Sequence, residues 1–235
     1  MRMMSVPFAK HLQAGDRQPE SGLTIIESLV AIIMVAIVGA MITPPIVIAV
    51  ATRLQNQRAQ QAYQIAQGEL DRVRGLVNNG RHEPAALPAA VGNAPLANQG
   101  PPTGAINQIQ SIDPDCNTYN GAPLPANRAL PIDITGNCEP DFVMQVFRNN
   151  GVVSDREQGG LDRPISFAMA VRVYAVLDNP IPWGGMETEE AGLRFTSGDG
   201  NQSTRPLAVI TTQVNWSDTR DSLCEFHSAA GGCDG

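Results

Sequence analysis

Hydrophobic and polar positions divide the chain into three stretches. From Ser28 to Thr52 no charged residue occurs and Ile, Val, Ala, Leu and Met dominate. That run is long enough to cross a bilayer core of about 30 Å as a helix. After Arg53 the pattern changes. Ala62, Ile65, Ala66, Leu70, Val73 and Val77 recur at helical spacing, with Gln, Arg and Glu on the opposite face. Gly75 and Asn78-Asn79-Gly80 are stop signals. One helix is therefore predicted from about Leu23 to about Val77, roughly 80 Å long at 1.5 Å per residue. A coiled coil over 54–77 is disfavoured, because the stripe is short and alanine-rich.

Beyond the helix, residues 79–140 are dense in Pro, Gly, Ala and Asn and read as one long loop region rather than a second domain. Strand patterns follow. Phe142–Arg148 leads through Asn149-Asn150-Gly151, a turn signal, to Val152-Val153. Ile165–Val176 is the clearest strand, and its Ile165, Phe167, Met169, Val171 and Val173 share the face expected to cover the helix. Leu207–Trp216 is the third. The predicted fold class is α+β: a long N-terminal helix laid on a small antiparallel sheet, with long Pro/Gly-rich loops.

One residue does not fit a plain membrane run. Glu27 stands at its head, and the next charge is Arg53. A carboxylate inside a hydrophobic span costs about 2.5–3.5 kcal/mol on insertion scales, so it calls for a partner. A signal peptide cut after Ala49-Val50-Ala51 would need an apolar region well beyond the usual ~7–15 residues. A simple anchor accounts for the length but not for Glu27. Arg2, Lys10 and Arg17 precede the run, which favours a cytoplasmic N-terminus.

Composition narrows the rest. The net charge is −7, Lys10 is the sole lysine and the arginines are scattered, so no basic stripe for nucleic acid is present. Cys116, Cys138, Cys224 and Cys233 all follow the apolar run, an even count that fits an oxidising compartment. Cys116 and Cys138 bracket part of the loop region, where a disulfide would stabilise by roughly 3 kcal/mol. Cys224 and Cys233 could close a short loop, and cross-pairings remain open. Catalytic signatures are missing: His11, His82 and His227 are scattered, and no nucleophile elbow, phosphate loop or two-histidine metal helix occurs. No enzyme activity, cofactor or metal is expected. Asp113-Pro114-Asp115-Cys116-Asn117 and Gly198-Asp199-Gly200-Asn201 resemble the start of calcium loops but lack the bidentate glutamate, and solvated turns are preferred. Glu187-Thr188-Glu189-Glu190 reads as a solvated acidic loop, and Trp183 as loop packing on the sheet rather than an exposed glycan-stacking ring.

The segment Ser21-Gly22-Leu23-Thr24-Ile25-Ile26-Glu27-Ser28-Leu29 resembles the class III signal of type IV prepilins and pseudopilins. Leu23 stands where that family usually has Phe or Met, and Ser28 where many members have Leu. The resemblance covers residues 21–53 and implies a lollipop-shaped pilin architecture. It implies a leader (1–22) cut by prepilin peptidase between Gly22 and Leu23, with methylation of Leu23. A membrane and filament-core helix (23–52), its amphipathic continuation (53–78), the loop region (79–140) and a periplasmic sheet head (141–235) would follow. Glu27 would meet the new amino terminus of a neighbouring subunit. Pro44 matches a proline common in pilins, where the helix is expected to bend or melt locally. The implied partners are other pilin or pseudopilin subunits, the peptidase, an inner-membrane assembly platform and, before assembly, membrane lipid. The implied site is the inner membrane, crossed once with the head in the periplasm, and then a filament. Ser21–Ile33, Pro44–Arg53 and Arg205–Val209 look like the cyanobacterial hormogonium polysaccharide secretion pseudopilins, which implies a minor pseudopilin supporting polysaccharide secretion and gliding. Rival readings are a minor pilin of a true type IV pilus, and a membrane-anchored periplasmic enzyme or glycan-binding module.

Overall fold

The computed structural model describes residues 22, 24–153, 160–177, 180–192 and 202–216. The chain divides into two compact units, Met1–Val47 and Ile48–Gly235. The architecture is α+β: helix α1 (Ile25–Asn78) and six strands, β1 (Gln110–Ser111), β2 (Leu130–Asp133), β3 (Phe142–Arg148), β4 (Val152–Val153), β5 (Pro164–Ala175) and β6 (Ala208–Asn215).

In the first unit, α1 is apolar all round and its side chains are exposed, from Ile25 and Ile26 through Val35 to Met41 and Ile42. A helix with no polar face belongs in a core or a membrane, and nothing among the described residues covers it. Ile25–Ile42 is long and apolar enough to cross a bilayer, by length and composition. The backbone stays helical through Pro44 and Pro45, so of the bend or local melting expected there, the melting is absent. The prolines simply remove two N–H donors from the ladder; their side chains lie outside the described residues.

In the second unit the amphipathic stripe is realised. Ala62, Ala66, Leu70, Val73 and Val77 are buried in one cluster with Phe167, Met169, Val171 and Val173 of β5, and Ile65 packs at its edge. Small residues at 62 and 66 and larger ones at Leu70, Val73 and Val77 make up that buried face. Gly75 does not stop the helix. Its end is set by Gly80, whose positive φ of 64° lets Arg81 N donate to Leu76 O and Gly80 N to Val77 O. This double bond pattern with a left-handed glycine satisfies the last carbonyls.

The sheet is mixed, which corrects the antiparallel expectation. β2–β3, β3–β5, β4–β5 and β5–β6 are antiparallel, but β1 pairs with β2 in parallel. Both extra strands lie in the segment read as loop. β2 was obscured by Pro131 in Leu130-Pro131-Ile132-Asp133. Asp141 N donates to Ile132 O, so the alternate residue Pro131 turns its missing N–H toward β1, whose ladder starts only at Gln110–Ile132.

Asn149-Asn150-Gly151 is also not the hairpin turn its sequence signals. Ser166 pairs with Val152 on one side and Asn215 on the other, while Met169–Val173 pair with both β3 and β6. β3 and β4 therefore share one edge of β5 as a single interrupted strand. Asn149 bridges the break: its N–H donates to Ala168 O, and its side-chain oxygen accepts from Ala168 N at 2.9 Å. Gly151 has φ 73°, and a Cβ there would lie 2.5 Å from Ser166 O and 2.7 Å from Phe167 Cβ. Gly151→Ala should cost about 2–4 kcal/mol, combining left-handed backbone strain with a backbone clash. Urea unfolding of the detergent-solubilised chain followed by Trp fluorescence measures this.

Candidate functional site

Three groups of residues carry chemistry. The first is the helix start in the first unit. Gly22 is exposed and precedes the helix, and a Cβ added there would meet nothing within 4 Å. Neither packing nor a positive φ therefore requires glycine at this position. Leu23 lies outside the described residues. Thr24 caps the helix: its Oγ1 accepts from Glu27 N at 3.3 Å. The bond uses the Glu27 backbone N–H; Thr24-Ile25-Ile26-Glu27 has the T-x-x-E spacing of a capping box, a signal that the sequence reading of Glu27 overlooked. Ser28 Oγ donates back to Ile25 O at 2.8 Å. The Glu27 carboxylate sits in the first helical turn, is exposed and is favoured there by the helix dipole.

The second is the disulfide knot. Cys116 and Cys138 are bonded, with Cα atoms 5.4 Å apart, joining the segment after β1 to the turn after β2. Beneath it lies Asp133, a buried carboxylate. It accepts from Ser111 Oγ at 2.7 Å, Gly136 N at 2.7 Å, Cys138 N at 2.9 Å and Thr135 N at 3.0 Å. Asp141 holds the same turn from its other side, accepting from Ile134 N at 2.8 Å and Thr135 N at 3.1 Å. Burial alone would raise the Asp133 pKa. The bonds from Ser111, Gly136, Cys138 and Thr135 outweigh it and hold the carboxyl well below the usual carboxylate range. Gly136 and Cys138 both have positive φ, 78° and 62°, the curvature that turns successive N–H groups toward one anion.

Asp113 and the two sulfurs lie within 4.8 Å of one another, but sulfurs bonded to each other offer no thiolate to a metal. The calcium-like start at Asp113 is a turn, its Oδ1 accepting from Asp115 N at 3.0 Å. The second calcium-like segment, at 198–201, lies outside the described residues, as do Cys224, Cys233, His11 and His227. His82 is buried and packs edge-on to Trp216, with ring centroids 4.5 Å apart.

The third group holds the Pro-rich segment down. Gln145 and Arg172 project from the sheet face opposite the helix and are buried. Gln145 Nε2 donates to Gly100 O at 2.9 Å and Ala126 O at 2.8 Å. Arg172 donates to Gln99 O at 2.8 Å, and its guanidinium lies 5.0 Å from the Phe147 ring centroid. The signal was present: a lone polar residue inside each of two long apolar strands marks a second covered face that must meet polar backbone. Trp183 packs against the cluster of Ala129, Val143, Tyr174 and Met186. Tyr174 OH donates to Glu187 O at 2.9 Å, and burial pushes its pKa up to about 12. Glu187 is part-exposed and paired with Arg205 at 2.9 Å.

The depressed pKa of Asp133 gives stability that is complete above the unfolded value of about 3.9 and is lost as pH falls through the folded value. Asp133→Asn should lower unfolding free energy at neutral pH by about 2–3 kcal/mol. It should also flatten the decline below about pH 4. Urea midpoints measured from pH 7 to pH 2 test both.

Set against models of known families, against curated proteins and against solved structures, the chain matches none, so its function is read from its own residues.

Proposed function

We propose that the chain is a pilin-like structural subunit, processed between Gly22 and Leu23 and assembled through its apolar helix into a type IV pilus-like or type II secretion-like filament. The observation that carries the reading is the conjunction at the head of α1. An exposed glycine that folding does not require stands five positions before the sole carboxylate of the apolar stretch Ile25–Ile42, which nothing among the described residues covers.

Lipid can cover that helix before assembly and neighbouring helices after it. Cleavage after Gly22 would place a new α-amino group at Leu23. Glu27 of one subunit would then meet that group on the next, giving a charged pair in place of a lone charge in a water-poor core. Such a pair sets axial register more than it adds net stability. The one-span helix, the disulfide and the leader's basic residues support a cytoplasmic N-terminus and a second unit outside the cytoplasm. The likeness to polysaccharide secretion pseudopilins makes a minor subunit supporting polysaccharide export the specific form of this proposal.

The T-x-x-E spacing would give the Glu27 side chain a competing, purely local role at the cap, and the two separate cleanly. Glu27→Gln keeps the polar N3 side chain of the cap and removes the charge. The proposal expects a mature chain beginning with methyl-leucine at Leu23, and a Glu27→Gln variant that is cleaved yet enters filaments about tenfold or more less efficiently. Intact-mass spectrometry and shear-fraction immunoblots read these. A mature start at Met1 or Thr52 overturns the processing reading, and wild-type assembly by Glu27→Gln assigns the carboxylate to the cap.

A further inference from the structure

Within the second unit a cleft of about 490 Å³ opens between α1 and the disulfide-pinned segment 110–121, over β2 and β3. Its volume falls in the range of small-molecule sites, roughly 300–1,000 Å³. Ile65, Ile132 and Met144 give it an apolar floor, and Tyr119, Gln110 and the Glu69–Arg72 pair form its rim.

Two features set it apart from a packing defect. The first is Gly68, which lines the cleft from the middle of α1. Glycine weakens a helix interior, yet a Cβ at Gly68 would meet nothing within 4 Å and its φ is not positive. Neither packing nor backbone geometry requires glycine there, and the missing side chain leaves the space above the floor open. The second is the charge pattern. Glu69 and Arg72 are joined twice, Nε to Oε2 at 2.8 Å and Nη2 to Oε1 at 2.7 Å, so the rim presents hydrogen-bonding groups with their charges already matched. A charged ligand would meet both signs side by side, with no net charge to attract it.

We propose that this cleft binds a neutral, hydroxyl-rich ligand with one apolar face: a sugar residue of an uncharged glycan chain. The apolar ring face would lie on Tyr119 and the floor. Its hydroxyls would meet Gln110 and the outward edges of the paired carboxylate and guanidinium, planar groups suited to adjacent hydroxyls. The inference rests on the cleft alone and not on the filament reading, since an unassembled chain would bind equally.

The test is saturation-transfer NMR on the detergent-solubilised full chain, titrated with maltotriose, cellotriose, chitotriose and, as the charged probe, trigalacturonate. The expected result is saturable binding of at least one neutral trisaccharide and weaker binding of trigalacturonate. Gly68→Leu fills the cleft with a good helix former. It should weaken that binding by about tenfold or more, while the thermal midpoint stays level or rises. Gln110→Ala, on the rim, should weaken it less. The proposal is overturned if no neutral trisaccharide binds the folded chain, if trigalacturonate binds more tightly than all three, or if Gly68→Leu binds as the wild type does.

Discussion

The apolar stripe from Ala62 to Val77 and the β5 face made by Phe167, Met169, Val171 and Val173 bury one another, and the second unit is built around that contact. Each side is unstable without the other. A helix of this length with a Gln-rich outer face does not hold on propensity alone, and a sheet face of that apolarity cannot stay in water. The contact also fixes what the first unit can be. The same helix begins as an apolar run without a polar face and without cover among the described residues, long and apolar enough to cross a membrane, so its stripe is defined only after about Arg53.

β5 has a second buried face, and this is where the fold exceeds its sequence signature. Val143, Phe147, Ala170 and Tyr174 point away from the helix and are covered by segments from the Pro-rich region and the loop around Met186. Proline-rich backbone offers few donors and many carbonyls. Gln145 and Arg172 supply donors to those carbonyls, and Asp133 supplies the acceptor for the turn N–H groups near the disulfide. The long loop is thus held by a few buried polar side chains of matching sense, with the Cys116–Cys138 bond closing it.

The helix, its buried stripe, strands β3, β5 and β6 and the inward face of β5 were legible because each rests on a period maintained over many residues. What escaped was short or non-local. β1 and β2 are two and four residues long, and Pro131 reads as a breaker until the free side of its nitrogen is known. Asn149-Asn150-Gly151 carries the chemistry of a turn, but pairing with Ser166 and Ala168 makes it a break within one edge. At the helix start, Gly22 and Glu27 were conspicuous, while the modest capping role of Thr24-Ile25-Ile26-Glu27 was hidden by the louder motif. The cleft beside Gly68 could not be foreseen, since it depends on which segment crosses the helix there.

Helix α1 meets two environments: a protein core over Ala62–Val77 and, over Ile25–Ile42, a surround that the described residues do not supply. Hydrogen–deuterium exchange of the full chain in lipid nanodiscs, followed through a urea series, tests it directly. The account predicts that amides of Ala62–Val77 lose protection together with those of Phe167–Val173, at one denaturant concentration, as a single cooperative unit. Amides of Ile25–Ile42 should stay protected beyond that point. Early loss at Ala62–Val77 while β5 stays closed, or exchange of Ile25–Ile42 at the rate of a water-exposed helix, would contradict it.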